Sequence, residues 1–349
     1  MTPADLSRTV LRAVRRAVDE GELRVAVPAR VVVERPRPGG TGDYATNIAL
    51  RLAGPAGRPP REVADLLRGR IAAVPGIERV IERVEITGPG FLNFTLAGGG
   101  REELVRTVCA QRGRYGYGDA MAGRTVTFRA ADELRAQVVT QAVVRLLRTQ
   151  GARAGVALDG TDVLDGAEVL PVRPLPSGAS DVLRQFGADA VVWALLTCDV
   201  RERPEFGPGL LVQDESNPLF HVRYAYSRTC ALVRHAADLG FGPDTDTGTD
   251  TGTDTVTTDT DAESVALLEA LSAYPAALEA AAHHRAPDRL ARQLVPLADA
   301  VLAYQHTVLP LGDEKPSAAH RARLALAEAA GTVLAGGLSL LGISAPEFL

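Results

Sequence analysis

The spacing of apolar residues changes character once along this chain, and that change limits the fold more than any single motif. Up to about residue 118, helical and alternating patterns take turns. A helix is expected over about 3–20, a strand within "RVAVPARVVVERP" (24–36), and helices near 44–53 and from Pro60 to about 73. Strands "ERVIERVEITG" and "GFLNFTLAG" follow, and a helix near 100–112 closes the block. Such a succession predicts a small α+β domain. Residues 124–176 give a strand "RTVTFRA", a long helix over 132–150 and two short strands. From residue 181 to 349 the pattern is almost wholly helical, punctuated by Pro275, Pro287, Pro310 and Gly342, which predicts a helix bundle. The expected class is therefore α+β, with divisions at 1–118, 119–180 and 181–349. Aromatics make up 5% of a chain that is 46% hydrophobic, so its cores must be mostly Ala, Leu and Val.

One passage interrupts the bundle. "DTDTGTDTGTDTVTTDTDAE" (244–263) holds seven acids and no basic residue. A Thr/Asp/Gly repeat contributes nothing to a core, so a disordered loop is expected over 243–262. The net charge of −5 is unevenly spread: residues 1–118 hold 19 Arg against 13 acids, a net of +6, which leaves −11 for the rest. Lys315 is the single lysine among 38 basic residues.

Several functions are excluded early. Cys109, Cys198 and Cys230 form neither a C-x-x-C nor a zinc spacing, so no disulfide framework, metal site or cofactor is expected, and reduced thiols fit a cytoplasmic protein. No apolar run is read as a membrane span. The N-terminal stretch carries Asp5, Asp19 and Glu20 and lacks a signal-peptide core; Thr2 with Asp5 looks like a capping box opening an amphipathic helix. A phosphate loop needs a lysine in glycine-rich context, and Lys315 sits between Glu314 and Pro316. There is no G-x-S-x-G elbow, and His283 and His284 are adjacent, a poor spacing for one metal.

The segment "NPLFHVRYAYSRTCALVRHA" (217–236) reads as one helix, with Asn217 as N-cap and Pro218 in the first turn. Leu219, Val222, Tyr226, Cys230 and Val233 are expected in a core. The opposite face carries Phe220, Tyr224, Arg228 and His235, with Arg223 and Arg234 at its edge. Solvated faces are usually Glu and Lys, so this one is expected to meet a second domain or RNA.

Three stretches carry a resemblance. "ERPRPGGTGDYATNIALRLAGPAGRPPREVA" with "GIERVIERVEITGPGFLNFTL" resembles the N-terminal domain of the arginyl-tRNA synthetase family, which meets the corner of tRNA. "FGADAVVWALL" with "NPLFHVRYAYSRTCALVR" resembles the start of that family's helical anticodon-binding domain, and "RLALAEAAGTVLAGGLSLLGISAPEFL" resembles its end. The family's catalytic core would lie between, yet about 55 residues separate the blocks, and 119–180 is similar only to the core's first strand and helix. Ala130, Ala131, Asp132 and Glu133 stand where the His-x-Gly-His signature belongs, and Val172–Ser177, "VRPLPS", where the lysine loop belongs. None of the six histidines is in an H-x-x-H spacing.

What the resemblance implies is a non-catalytic tRNA-binding protein, without ligase activity, that holds the tRNA corner and anticodon stem-loop. The alternative is a subunit that docks a protein partner through the exposed junction and binds no RNA. On the N-terminal domain, Phe91 and Asn93 lie two apart on a strand and so share a face, where an aromatic can stack on a base while an amide reads its edge. Tyr44 and Asn47 are further RNA candidates there. On the helical domain the resemblance points to Tyr304, His306, Arg321 and Arg323. Residues 264–349 hold 6 basic and 8 acidic residues, and the chain ends Glu347-Phe348-Leu349 where the family tends to end Glu-Arg-Met.

Overall fold

The computed structural model describes residues 3–28, 30–34, 36, 41–97, 100–129, 132–157, 167–175, 179–244 and 262–349. The Asp/Thr repeat over 245–261, together with Thr2, Ala130, Ala131 and Pro176–Ser177, lies outside them. The chain divides into two compact units, Met1–Leu104 and Val105–Leu349.

In the first unit, α1 (Pro3–Asp19) precedes β1 (Tyr44–Thr46), α2 (Ile48–Ala56), α3 (Pro60–Ala72), β2 (Ile81–Thr87) and β3 (Phe91–Leu96); α4 (Gly100–Gln111) spans the division. The sheet is antiparallel with β3 central, in the order β1-β3-β2. Leu92 and Phe94 on one face of β3 join Leu6, Val10, Val14, Ile48, Val63, Leu67 and Ile71 in a closed core. The other face carries Phe91, Asn93 and Thr95, as period-two alternation requires. Gly90 makes the turn before β3 possible: its φ is 144°, and a Cβ there would lie 2.9 Å from the Pro60 carbonyl oxygen.

The strand expected over 24–36 does not form among the described residues, apart from a single bridge between Glu34 and Ala45. Its carbonyls are taken by side chains instead: Ser7 Oγ donates to Val31 O at 2.5 Å and Thr46 Oγ1 to Val32 O at 2.7 Å. Pro28 and Pro36 bracket a segment that alternates like a strand but has no full ladder to join.

In the second unit, after the end of α4 and a 3₁₀ turn at Arg112–Arg114, β4 (Thr125–Phe128), α5 (Leu134–Thr149) and β5 (Arg153–Val156) form a parallel β-α-β unit. Among the described residues, the second expected short strand is reduced to a parallel bridge between Phe128 and Glu168. Eight elements follow among the described residues: α6 (Ala179–Phe186), α7 (Ala188–Thr197), a 3₁₀ turn at Pro208–Leu211, α8 (Pro218–Asp238), α9 (Ala262–His284), α10 (Pro287–Tyr304), a 3₁₀ turn at Gln305–Thr307 and α11 (Ala318–Leu341). Residues 119–180 do not stand apart as a unit of their own. Helix α5 packs on α7, α9, α10 and α11, because its buried stripe of Val139, Val143, Leu146 and Leu147 needs the bundle to cover it.

Arg135 is fully buried in the first turn of α5. Its guanidinium donates to the carbonyl oxygens of Arg173, Glu202 and Asp199 at 3.0, 2.6 and 2.8 Å and to Cys198 Sγ at 3.0 Å. Burial pushes the Cys198 thiol up, with Arg135 pulling it partly back, so the sulfur accepts as a neutral thiol. A second clamp joins Arg285 to Glu168 through paired contacts, one of them 2.9 Å, with the guanidinium 5.5 Å from the Phe128 ring centre.

Pro275 sits inside α9 and has no N–H for the Leu271 carbonyl; the Tyr115 hydroxyl donates to that oxygen at 3.0 Å instead, and the Tyr115 and Tyr274 rings stack. Helices α8 and α11 approach closely at Gly331, where a Cβ would collide with the Thr229 side chain. Contrary to the sequence reading, α9 and α11 are long and apolar enough to cross a membrane, with mean hydropathies of 1.3 and 1.7. The apolar window of α11 is 72% buried inside the unit, as that of a core helix is, and that of α9 is 44% buried.

Arg135→Ala should destabilise the second unit by about 3–5 kcal/mol, because it removes the donors of three carbonyls and leaves a cavity where the fully buried side chain stood. Denaturant unfolding of the full chain, followed by the fluorescence of Trp193 on α7, measures it. Tyr115→Phe should cost less, about 1–3 kcal/mol, for the single carbonyl beneath Pro275.

Candidate nucleic-acid interface

The first unit presents the outer face of its sheet. Along β3, Phe91 is 39% exposed while Asn93 is only 4% exposed. Both strands flanking Asn93 contribute cover, since its register partners are Ala45 on β1 and Glu85 on β2. Its amide donates to Thr87 Oγ1 at 2.6 Å. The shared face is therefore real, but the pair is unequal: the ring is open to a base and the amide is committed inside the sheet. A central strand covers a short polar side chain that an edge strand would expose, which sequence spacing does not reveal.

Tyr44 is a correction. It is 8% exposed and belongs to the core, so its ring faces the helices and not a ligand. Asn47 is exposed and stands at the N-cap of α2 with no side-chain capping bond, so its amide projects outward. Asp43 does the local bracing, its carboxylate accepting from the Leu96 backbone N–H at 2.7 Å.

In the second unit Tyr304 is likewise corrected: at 2% exposed it closes the core end of α10. His306 is exposed in the turn that follows. Arg323 Nη1 donates to the Thr307 carbonyl oxygen at 3.2 Å, and Arg228 Nε donates to Gln305 Oε1 at 2.8 Å. Two groups of residues that looked separate in sequence, one on α8 and one around 304–323, thus converge on the turn Gln305–Thr307. Half-buried Arg321 stands beside them in the first turns of α11. Ser317 and His320 open that helix with a reciprocal capping box.

The α8 helix forms as expected, with Asn217 Oδ1 accepting from the Leu219 N–H and its amide donating to Leu210 and Val212 carbonyls. Its buried stripe is Leu219, Val222, Ala225, Thr229, Leu232 and Ala236; Tyr226, Cys230 and Val233 are only half-buried. The core face is rotated by about one residue from the sequence reading, because the small residues Ala225 and Thr229 permit the close approach of α11. On the opposite face Phe220 and Tyr224 stack at 5.8 Å with their planes 9° apart. His235 is exposed in the last turn. The edge of this face is occupied by the chain's own last residues. Arg223 Nε donates to the Ser344 carbonyl at 3.0 Å and pairs with Asp189, Ser227 Oγ donates to the Glu347 carbonyl at 3.1 Å, and Arg234 lies 4.1 Å from the Phe348 ring centre. A cavity of about 330 Å³ remains between Phe186, Leu210, Leu211, Phe220, Arg223 and Leu349. Sequence reasoning missed this use of the terminal segment; the only hint was an aromatic, Phe348, where the family has an arginine.

Residues 5–96 match the arginyl tRNA synthetase N terminal domain, and residues 222–349 match the DALR anticodon binding domain. The chain belongs to the arginyl-tRNA synthetase family. An arginine–tRNA ligase of Frankia alni is 28% identical to it across 99% of this chain and 100% of the relative. That alignment runs over 560 positions against 349 residues here, so at least 211 positions (560 less 349) carry no residue of this chain. The ligase of Renibacterium salmoninarum is 40% identical over 165 residues, which is 44% of this chain but 29% of that relative. Arginyl-tRNA synthetase of Thermus thermophilus superposes with a TM-score of 0.66 at 15% identity over 100% of both chains. The Plasmodium falciparum enzyme does so with a TM-score of 0.58 at 9% identity over 99% of each. At those identities the two structures speak for the fold.

The family domains thus lie at the two ends, and the sheet face of the first unit and the Gln305–Thr307 turn of the second fall within them. Asn93→Ala should lower stability by about 1 kcal/mol, because the bond to Thr87 goes with the amide. Tyr44→Ala and Tyr304→Ala should each cost about 3–5 kcal/mol as core truncations. Thermal melts of the three variants separate these packing roles from any role on the surface.

Proposed function

We propose that this chain is a tRNA-binding member of the arginyl-tRNA synthetase family that does not charge tRNA. The observation that carries this reading is the state of the segment where the family's catalytic core would begin. A nucleotide crevice needs several parallel strands and their crossovers. Among the described residues, one parallel pair, β4 and β5, is followed by a single bridge at Glu168. The position of the histidine signature is occupied at its end by Glu133, whose carboxylate caps α5 through the Ala136 N–H at 2.9 Å and braces the Leu175 N–H at 3.1 Å. Arg135, beside it, spends its guanidinium on backbone carbonyls. Activating an amino acid with ATP requires cationic and hydrogen-bonding groups aimed at the transferring phosphate. Glu133 and Arg135 are instead turned onto the protein's own backbone and hold the fold.

What remains supports binding. Matches to both tRNA-handling domains of the family favour tRNA as the partner, and the cytoplasm as the place of action. Phe91 offers a stacking surface on the first unit, while His306, Arg321 and Arg323 gather at one end of α10 and α11 on the second. Positioning then comes from arginine contacts with phosphates and discrimination from stacking and edge contacts.

Purified full-length chain should give no ATP–pyrophosphate exchange with arginine or any other amino acid; measurable exchange would overturn the non-catalytic part of the proposal. It should bind tRNA in a gel shift, with log affinity falling linearly with log salt. Phe91→Ala should lower that affinity by about one to two decades, from a stacking contribution of roughly 1–3 kcal/mol. Because Phe91 is partly exposed, the melting temperature of that variant should change little. Absence of tRNA binding at low salt would refute the proposal.

A further inference from the structure

Helix α1 has two faces of opposite character. Leu6, Val10, Ala13, Val14 and Ala17 are 0–2% exposed and anchor the helix in the core of the first unit. Arg8, Arg12, Arg15 and Arg16 are all exposed. At about 100° per residue these four arginines occupy an arc of roughly 100° opposite the buried stripe. Two acids, Asp5 and Asp19, close the arc at its ends. Arg8 pairs with Asp5 at 2.9 Å, an exposed contact of the kind that solvent screens and that a stronger anion displaces.

The bland account of such a stripe is a solvated helix face. It does not explain why the face is built of arginine with acids only at its termini: solvated faces alternate signs to gain i,i+4 pairs, and the middle of this one does not. Nor does the face suit a lipid surface. An interfacial helix must put its apolar side into the headgroups, and here that side is sealed in a protein core. Four forked guanidiniums at i, i+4 and i+7 to i+8 along a rigid helix match a line of anionic groups on a polymer. Arginine is the residue that grips phosphate in bidentate fashion.

We infer that the exposed arc of α1, Arg8, Arg12, Arg15 and Arg16, is a track for the RNA phosphodiester backbone. It rests on the reading that the chain binds tRNA and deepens it: the arc supplies sequence-independent positioning, on the same unit whose Phe91 offers a base-stacking surface. The two contributions have different physical signatures. Phosphate contacts release counterions and set the salt slope, whereas stacking on Phe91 changes affinity with little change in slope.

The test is a salt series of tRNA binding by the full-length chain and by the triple variant Arg12→Gln/Arg15→Gln/Arg16→Gln. Glutamine keeps helix propensity, so the melting temperature should hold. The slope of log affinity against log salt should fall by about two to three, roughly one for each phosphate no longer gripped, with at least a tenfold drop in affinity at low salt. The corresponding triple Arg→Lys variant should recover most of the slope. Phe91→Ala should weaken binding while keeping the slope. If the triple variant proves unstable, Arg12→Gln and Arg15→Gln singly should each lower the slope by about one. Wild-type slope and affinity in the glutamine variants, with the wild-type chain binding tRNA, would overturn the track and leave the tRNA reading standing. Binding of the wild-type chain to phosphatidylserine vesicles that the glutamine variant abolishes, with tRNA binding unchanged, would overturn it in favour of a membrane. No tRNA binding by the wild-type chain would remove the reading beneath it as well.

Discussion

Arg135 is the interaction on which the second unit depends. A guanidinium removed from water is costly unless its donors are met; here both terminal nitrogens are met, while the buried Nε has no hydrogen-bond partner among the described residues. Three backbone carbonyls and a thiol meet the terminal nitrogens. Those acceptors belong to the segment before α6 and to the loop after α7, so the buried charge fixes two irregular stretches that have few apolar anchors of their own. The short β-α-β unit survives for the same reason: two strands and a helix cannot form a core alone, and here α5 is one wall of a helical bundle.

The bundle itself is assembled from exceptions to helix regularity. Pro275 breaks the bond to the Leu271 carbonyl, and Tyr115, brought from the start of the unit, replaces it. Gly331 and Gly337 on α11 remove side chains where α8 and α10 come close, which a chain poor in aromatics can exploit because Ala and Gly allow near contact of backbones. Arg145 donates to the Leu340 carbonyl at the end of α11, where the helix dipole favours a cation, although burial draws its pKa down. The terminal residues then fold back on α8, so the face that the sequence marks as unusual is partly lined from within the molecule.

The sheet face with Phe91 lies in the first unit and the turn at Gln305–Thr307, with arginines bonded to it, in the second. Neither is strongly basic. In the middle segment, Glu133 and Arg135 are committed to structural bonds with the backbone.

Much of this was legible in the residues. Helical and alternating periods placed α1, α3, α4, α5, β2 and β3 within a few positions, since apolar spacing is dictated by which face must be buried. Asn217 and Pro218 gave the start of α8, because capping is a local bond between neighbours. The match of both ends to one family was readable for the same reason, being carried by contiguous motifs. What the sequence left open was decided by non-local contacts. Asn93 is closed by strands from elsewhere in the chain, and Tyr44 and Tyr304 turn inward because their elements pack on partners distant in sequence. The strand pattern at 24–36 yielded its carbonyls to the hydroxyls of Ser7 and Thr46 and formed no ladder. The rotation of α8's buried face, and the burial of Arg135, follow from which backbones meet in three dimensions, and no period in a single segment encodes that.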